Sequence, residues 1–417
     1  MRNIPSVGAL SSALGLAREG FPFIYNRCRR FQSDLFEISV PFLKVVCISG
    51  PEAAQIFYDP ERFARRGAIP KRIQRTLFGE NGVQTLDDAA HRRRKEMFMS
   101  VMTPENSQRL SDLLHDHWRA CIKKWEKQDE VVLFDELQAL LCRVACAWAG
   151  VPLVENESQR RGHQLWQLVD AFGAVGPRHL RGRWARSQTE DWMRSIILAI
   201  REGRIQAPEG TSAYTMAFYP DFDGAPMDAQ IAAVELLNIV RPIVAISTYI
   251  VFAALALHEH PEYRERLQAG DEKERERFTH EVRRYYPFAP FLGAKVRSAF
   301  DWRGYHFPKG AMVLMDVYGT NRDPDAWKRP MEFWPDRFKE WDGSAYNFIP
   351  QGGGDYYKNH RCAGEWVTIE TVKIALDYLT KHMQYDVPPQ DLGFKLSRMP
   401  TYPRSGFVVR QVRGVNV

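Results

Sequence analysis

Cysteine is scarce in this chain, and that scarcity excludes one class of protein. The 417 residues include 6 cysteines, too few for the dense disulfide framework that stabilises small secreted domains. The N-terminal segment MRNIPSVGALSSALGLAREG is apolar only in short patches and lacks the continuous apolar stretch of a secretory signal peptide. These absences predict a protein of the reducing cytoplasm.

A strong charge of one sign is also absent. The 57 lysines and arginines outnumber the 51 aspartates and glutamates by a net charge of +6, whereas a nucleic-acid-binding protein usually concentrates more positive charge. No internal repeat or Gly/Ser linker divides the chain, and 45% hydrophobic residues suffice for a large core. We therefore expect a single domain over residues 1–417 that binds no nucleic acid.

One apolar segment, from Ile231 to Leu257, is long enough to cross a bilayer. Its first half contains Glu235, Arg241 and Pro242, and an unpaired arginine within a membrane costs several kcal/mol. The uninterrupted apolar remainder is too short to span. We predict a long helix buried in the core and no integral membrane association.

Helical periodicity dominates the rest of the chain, so the predicted fold class is mainly α with small peripheral β-sheets. Helices are predicted over Asp112–Lys127, Glu136–Ala149 and Gln159–Phe172. Thr279–Tyr286 is predicted to be the end of a helix, because Pro287 cannot continue it, and another helix is predicted to begin at about Gly364. Short strands are predicted over Leu43–Ile48, Ala311–Val317 and Phe407–Val412.

Cys362 stands between a glycine-rich loop and a predicted helix, next to His360 and Arg361. A helix N-terminus and neighbouring cations both lower the pKa of a thiol, which favours a thiolate at this position. A buried structural cysteine is the alternative, because most free cysteines lie in the core. The residues alone leave both interpretations open.

Arg241 and Pro242 form an unusual pair within the long helix. Proline removes one helical hydrogen bond and bends the chain. A buried arginine requires an anion, because an unpaired buried charge is very costly. That anion is either an internal acid such as Glu235 or the carboxylate of a ligand.

Three motifs in a fixed order carry a resemblance to a known family. They are Glu281-Val-Arg-Arg284, Pro335-Asp336-Arg337-Phe338 and the glycine-rich loop that leads to Cys362-Ala-Gly364. This order resembles the cytochrome P450 family over essentially the whole chain. Ala68-Ile-Pro-Lys-Arg72, Asn238-Ile-Val-Arg-Pro242 and Ile349-Pro-Gln-Gly-Gly-Gly354 resemble its bacterial fatty-acid peroxygenase branch.

The resemblance implies the cytochrome P450 fold and a haem b cofactor whose iron is bound by the Cys362 thiolate. It implies that Glu281, Arg284 and Arg337 form a structural ion-pair network behind the haem. It places Arg65, His91 and Lys95 at the haem propionates, with His360 as a further candidate. From the residues alone, the charged run His91–Lys95 is either a solvated helix face or a nucleic-acid patch.

The resemblance also implies that hydrogen peroxide is the oxidant, that long-chain fatty acids are the substrates and that no redox partner is obligatory. Arg241, beside Pro242, is expected to hold the substrate carboxylate, which then acts as the acid–base group for hydroxylation at the α or β carbon. Alternatives are a decarboxylase that forms terminal alkenes and a conventional reductase-dependent monooxygenase.

Gln84 favours hydroxylation within this branch, although it is also a plausible polar core residue. The resemblance implies that six residues line an apolar channel for the acyl tail: Leu77, Phe78, Val169, Phe172, Phe288 and Ala289. From the sequence alone, the same residues are equally good core residues.

Other positions are expected to be ordinary or depart from the branch. We predict an exposed cluster of Arg178, Arg181, Arg183 and Arg186, and core positions for Cys142 and Cys146. Most branch members have glycine and proline where this chain has Asn359 and Ala363. Because asparagine tolerates unusual backbone angles, we expect the loop to survive. Asp355 stands where typical P450s have phenylalanine, an irregularity that the branch shares.

Overall fold

Helices form most of the chain in the computed structural model, which describes residues 4–40 and 43–415. The helices are α1 (Ala9–Glu19), α2 (Phe23–Phe31), α3 (Pro51–Phe57), α4 (Lys71–Ile73), α5 (Asp88–Ser100), α6 (Pro104–Trp125), α7 (Leu133–Ala149), α8 (Ser158–Asp170), α9 (Pro177–Arg201), α10 (Ser212–Phe218), α11 (Ala229–Ala245), α12 (Ser247–Glu259), α13 (Glu262–Ala269), α14 (Glu272–Tyr285), α15 (Val317–Thr320) and α16 (Glu365–Asp377). A π-helical turn spans Gln74–Phe78 and a 3-10 turn spans Val83–Thr85. Residues 1–3 of the N-terminal segment analysed above, and the last two residues of the chain, lie outside the described part.

The strands are β1 (Ser6–Val7), β2 (Leu35–Val40), β3 (Leu43–Ile48), β4 (Phe63–Ala64), β5 (Glu130–Val132), β6 (Phe291–Val296), β7 (Phe300–Trp302), β8 (Tyr305–Phe307), β9 (Met312–Asp316), β10 (Met383–Asp386) and β11 (Val408–Gly414). They form a six-stranded sheet in the order β1-β2-β3-β9-β6-β4, a three-stranded sheet β10-β11-β5 and the hairpin β7-β8. Within the six-stranded sheet, β3 runs parallel to β9 and antiparallel to β2.

The predicted elements are confirmed as helices α6, α7, α8, α14 and α16 and as strands β3, β9 and β11. Cys142 and Cys146 are buried in α7, as predicted. Strand β6 escaped prediction because it follows Pro290 and contains Gly293, two residues that weaken a strand pattern.

The long apolar segment is a core helix, as predicted. Ala229–Glu259 is long and apolar enough to cross a membrane, but 94% of its most apolar part is buried within the described chain. It packs against α7, α8 and α9. Pro242 lies inside α11, and regular α structure is interrupted four residues later, at Ile246.

A buried ion-pair network ties α14 to the segment after α15. Glu281 accepts two hydrogen bonds of 2.8 Å from the Arg284 guanidinium and a third of 3.0 Å from Nε of Arg337. The backbone N–H of Trp334 donates to the same carboxylate at 2.7 Å. Arg284 also donates to the backbone carbonyl of Asn321. The pairing predicted from the two motifs is confirmed, and its contacts are structural.

The variant Glu281→Gln should lower the free energy of unfolding by about 3–5 kcal/mol, because it leaves two buried guanidinium groups without their charge partner. Urea titration followed by circular dichroism measures this loss. Lys328→Ala is the control: its salt bridge to Glu340 is exposed on both sides, at 76% and 78%, and should contribute about 0–1 kcal/mol. Equal losses in the two variants would contradict the structural role of Glu281.

Candidate active site

The loop before Cys362 is shaped by glycines with left-handed backbone angles. Gly352 and Gly354 have φ of 95° and 80°, which residues with a side chain adopt only under strain. The turn brings the backbone N–H of Cys362 to the carbonyl of Gln351 at 3.0 Å. Cys362 then precedes Gly364, the N-cap of α16, so the thiol lies at a helix N-terminus as predicted.

The departures at Asn359 and Ala363 leave this loop well braced, but not for the expected reason. Asn359 does not adopt a left-handed backbone conformation. Its side-chain amide instead donates to the carbonyl of Tyr58 and accepts the backbone N–H of Asp355, both at 2.8 Å. Ala363 packs against the main core. The loop is therefore held by side-chain hydrogen bonds.

The sequence predicts a lowered pKa for the Cys362 thiol, but its surroundings in the structure raise it. Desolvation by the surrounding protein raises the pKa of Cys362 above its usual value. The positive charge of Lys95 and the backbone N–H of Gly364 act in the opposite direction and only partly compensate. The thiol alone is thus protonated at neutral pH, whereas a coordinating metal ion deprotonates a thiol outright.

Four basic side chains converge at the loop that leads to this thiol: Arg65, His91, Lys95 and His360. The His91 and His360 rings stack with centroids 3.9 Å apart, and the Lys95 ammonium donates to the carbonyl of Arg361. Arg65 donates to the carbonyl of Gly293 at 3.1 Å. Within residues 4–40 and 43–415, none of the four side chains forms a salt bridge with an acid. The structure therefore brings together the four residues predicted at the propionates, and their role there remains a prediction.

Burial without acidic partners lowers the pKa of each group in this set. The pKa of His91 falls to about 4 and that of Lys95 to about 8, in each case because of desolvation first. Desolvation and the neighbouring positive charges hold the pKa of His360 well below its usual value. The cluster therefore favours an anion at this position.

The run His91–Lys95 is not a uniformly solvated face, and it does not form a continuous exposed basic patch. His91 and Lys95 are both 4% exposed. Arg93 donates to the carbonyl of Pro220 at 2.7 Å, and Arg94 reaches a buried acid on α11. Only Arg92 in this run is fully on the surface.

The structure settles which residue pairs with Glu235. Its carboxylate, completely buried, lies 2.6 Å from the Arg94 guanidinium and also accepts the backbone N–H of Val83 at 2.8 Å. Arg241 is 4% exposed, and among the described residues it forms no salt bridge. The internal pair between Arg241 and Glu235 that the sequence left open is therefore absent, because the acid is bound to Arg94.

The Arg241 guanidinium instead meets backbone and ring atoms. It donates to the carbonyl of Leu77 and lies over the Phe78 ring, 5.7 Å from the ring centroid. Its Nε is buried without a hydrogen-bond partner in the described structure. Desolvation, followed by the positive charge of Arg186, lowers the pKa of Arg241 to about 9. A carboxylate beside this group would relieve both effects.

Arg186 corrects the prediction of an exposed arginine cluster. It is 3% exposed and donates to the same Leu77 carbonyl at 3.0 Å. Arg178 is only partly exposed and lies 3.7 Å from the Asp170 carboxylate, while Arg181 and Arg183 are exposed as expected. The reason is helix periodicity: Gly182, Ala185, Arg186 and Thr189 share the buried face of α9. That spacing was present in the sequence but was obscured by neighbouring charges.

Gln84 approaches this site through Asn238. The Asn238 amide donates to the carbonyl of Phe78 at 3.0 Å and lies 3.5 Å from Oε1 of Gln84. The helix α8, which carries Val169, contacts the turn of Leu77 and Phe78. Phe172, in the connection that follows α8 and precedes α9, is half-buried. The structure thus brings Leu77 and Phe78 to Arg241, and Gln84 to Asn238 one helical turn earlier on α11.

Phe288 and Ala289 follow α14, where the Phe288 ring packs against Tyr249 of α12 with centroids 5.2 Å apart. As lining for an acyl tail, these two residues, Val169 and Phe172 remain predictions.

Comparison with known proteins decides the family. The cytochrome P450 family model matches residues 276–408, and a solved variant of cytochrome P450SP alpha (CYP152B1) has 44% sequence identity, a TM-score of 0.94 and coverage of 97% of this chain and 99% of that chain. The chain belongs to the cytochrome P450 family. Cytochrome P450EX alpha (CYP152N1), solved with myristic acid, is 42% identical with a TM-score of 0.96 and full coverage of both chains. A variant of cytochrome P450 OleT in complex with arachidonic acid is 36% identical, again with a TM-score of 0.96 and full coverage.

Curated relatives are more distant or match only in part. Corytuberine synthase of Coptis japonica is 35% identical over 121 residues, and this chain spans 24% of its length. Beta-amyrin 28-monooxygenase of Vitis vinifera is 22% identical over 97% of this chain and 90% of that protein. The solved CYP152 structures therefore define the branch to which this P450 belongs.

The P450 fold implies a haem cofactor, and the residues around Cys362 fit one. Haem b carries two propionates, and the four basic side chains described above lack an acidic partner within the described chain. Cys362 supplies a sulfur donor at the same place, a known ligand of haem iron. The basic side chains match the negative charge of the propionates, and the cysteine sulfur matches the iron.

Arg241→Met should leave the free energy of unfolding of the fatty-acid-free protein unchanged or raise it by up to about 1–4 kcal/mol, because an unpaired buried charge is removed. Glu235→Leu should lower it by about 3–5 kcal/mol, because Arg94 then loses its partner. Urea denaturation of both variants measures the contrast. A loss of stability in Arg241→Met as large as that in Glu235→Leu would show that Arg241 has an internal partner.

Proposed function

We propose that this P450 hydroxylates long-chain fatty acids at the α or β carbon with hydrogen peroxide as oxidant. One observation carries the proposal: Arg241 is buried in the core helix without an acidic partner among the described residues, while the nearby acid is bound to Arg94. A fatty-acid carboxylate is the complementary anion, and a guanidinium binds a carboxylate through two parallel hydrogen bonds.

In this proposal Cys362 would bind the haem iron through its sulfur, and Arg65, His91, Lys95 and His360 would hold the propionates. The haem-thiolate group, when bound, activates peroxide for transfer of one oxygen atom to carbon. The protein residues position the substrate for this chemistry. Arg241 fixes the carboxylate, so the α and β carbons are the carbons nearest to it.

The substrate carboxylate also replaces an acid–base residue of the protein. Held by Arg241, one carboxylate oxygen would accept a proton from one oxygen of the peroxide and return it to the other, which leaves as water. Pro242 leaves the carbonyl of Asn238 without its usual helical N–H partner. The overall balance is fatty acid plus H2O2 to hydroxy acid plus water, so no electron-transfer partner is required.

Two products are possible on this scaffold, and Gln84 bears on the choice. Formation of a terminal alkene balances as fatty acid plus H2O2 to alkene, CO2 and two waters. Gln84 supports hydroxylation through the resemblance stated above, and its amide lies close to Asn238 in the site. We propose that hydroxy acids dominate, with the tail held by the six lining residues named above.

We further propose that residues 1–417 act as one domain in the cytoplasm. The solved relatives cover essentially the whole chain, which is consistent with a single catalytic unit. A conventional reductase-dependent monooxygenase is disfavoured by Arg241 and Pro242 in the core helix.

The first test is turnover of myristic and palmitic acids by the haem-loaded protein with H2O2 alone, with products identified by mass spectrometry. Hydroxy acids in the absence of any reductase support the proposal, and the ratio of α-hydroxy acid, β-hydroxy acid and alkene measures the partition. If a normal thiolate spectrum is accompanied by no product, the enzyme does not use peroxide with these acids.

Arg241→Leu should weaken binding of long-chain acids by about 3–5 kcal/mol, because the carboxylate loses its buried partner. This corresponds to an affinity loss of roughly a hundredfold or more, together with loss of peroxide-driven turnover. A spectral titration with myristic acid measures affinity. Arg194→Leu, which removes an exposed arginine of α9, is the control and should bind normally. Unchanged turnover in Arg241→Leu contradicts the substrate-assisted mechanism.

Lys95→Met should accelerate loss of haem by roughly ten- to a hundredfold, since it removes a buried cation from the proposed propionate site. Arg92→Met, three residues earlier on the surface of α5, provides the matched control. Transfer of haem to apomyoglobin measures the rate for both proteins. Identical rates would remove Lys95 from the cofactor site.

A further inference from the structure

We propose that Gln351 is a positioning residue whose side-chain amide donates a hydrogen bond to the sulfur of Cys362. This inference rests on the proposed role of Cys362 as the haem ligand. Nε2 of Gln351 lies 3.8 Å from Sγ of Cys362, within reach of a hydrogen bond to sulfur. The same two residues are joined through the backbone, because the N–H of Cys362 donates to the Gln351 carbonyl at 3.0 Å.

Arg283 fixes which end of the amide faces the sulfur. Its Nε lies 3.1 Å from Oε1 of Gln351. An arginine side chain has only donors, so the atom that faces it must be the amide oxygen. The NH2 group of Gln351 is therefore directed to the other side, where Cys362 lies. A free glutamine amide has two orientations of nearly equal shape, and this contact selects one of them.

Thr368 accounts for one of the two amide protons and leaves the other for sulfur. Oγ1 of Thr368 lies 3.0 Å from Nε2 of Gln351 and 3.3 Å from the carbonyl of Gly364. Because a carbonyl only accepts, the threonine hydroxyl donates to Gly364 and accepts from Gln351. The second N–H of the amide then points to Sγ of Cys362.

Arg283 is itself immobilised by a buried acid. Its guanidinium pairs with Glu365, and the two side chains are 0% and 2% exposed. Glu365 also accepts the hydroxyl of Tyr356 at 2.9 Å and Nε of Arg361 at 2.7 Å. A continuous chain of hydrogen bonds thus runs from Glu365 through Arg283 and Gln351 to the sulfur.

The expected consequence is electronic. An N–H donor stabilises negative charge on a thiolate, and hydrogen bonding around the metal ligand tunes the reduction potential of a haem centre. Reduction adds negative charge to this centre, so the donor from Gln351 makes reduction easier. Its removal should lower the midpoint potential without removing the thiolate ligand.

Gln351→Met tests this directly, because methionine has a similar length and no N–H donor. The reduction equilibrium of the haem-loaded protein should shift by about tenfold, or about 59 mV for one electron, towards the oxidised form. Spectroelectrochemical titration measures the shift. Gln351→Asn, which draws the amide away from sulfur, should shift the potential in the same direction and serves if the methionine variant fails to fold. Thr368→Val is the control, since it removes the other acceptor and should change the potential much less.

Arg283→Lys tests the positioning role, because lysine keeps a positive charge beside Glu365 but lacks the Nε donor that orients the amide. It should lower the potential in the native background and leave it unchanged in the Gln351→Met background. Additive shifts would contradict orientation of Gln351 by Arg283.

The carbon monoxide difference spectrum of the reduced native protein separates two kinds of failure. A native protein without the thiolate signature overturns the proposed haem ligand and this inference with it. A thiolate signature with equal potentials in the native protein and both Gln351 variants overturns the role of Gln351 alone.

Discussion

The buried charge of Arg241 is the constraint on which the candidate substrate site depends. Removing a guanidinium from water costs several kcal/mol unless an anion compensates. The fold offers partial relief through the Leu77 carbonyl and the Phe78 ring, but it commits Glu235 to Arg94. A second arginine, Arg186, reaches the same carbonyl. The site therefore stays electrostatically incomplete until a ligand brings a negative charge.

A similar incompleteness exists beside Cys362. The four basic side chains there are largely desolvated, and within the described residues no acid pairs with them. Other buried charges of the protein are paired, as in the Glu281–Arg284–Arg337 network and the Glu365–Arg283 pair. The Arg241 site and the basic cluster near Cys362 differ from them in lacking an acid. A propionate-bearing cofactor and an anionic substrate would supply the negative charge that these two positions lack. Because ligands that bind only the folded state add to its stability, both would also stabilise the fold.

Much of this arrangement was accessible from the sequence. The apolar segment with Arg241 and Pro242 predicted the buried helix, and the motif order predicted the Glu281 network and the position of Cys362. Local periodicity defined α6, α7 and α8. These features depend on neighbouring residues or on motifs that the family resemblance makes specific.

The remainder depends on contacts that local sequence does not contain. Arg94 and Glu235 are 141 residues apart, so the choice between Arg94 and Arg241 as the partner of Glu235 required the fold. Arg186 was mispredicted because its helix carries charges on both its buried and its exposed faces. The contact between Gln351 and Cys362 follows from a glycine turn whose left-handed angles only the structure reveals.

The most direct test of the central claim is to compare peroxide-driven turnover of myristic acid with that of its methyl ester by the native haem-loaded enzyme. The ester has the same tail but lacks both the negative charge that pairs with Arg241 and the basic carboxylate oxygen that accepts the peroxide proton. The account predicts hydroxylation of the acid and essentially none of the ester. Comparable turnover of the acid and the ester would show that Arg241 does not act by binding the substrate carboxylate.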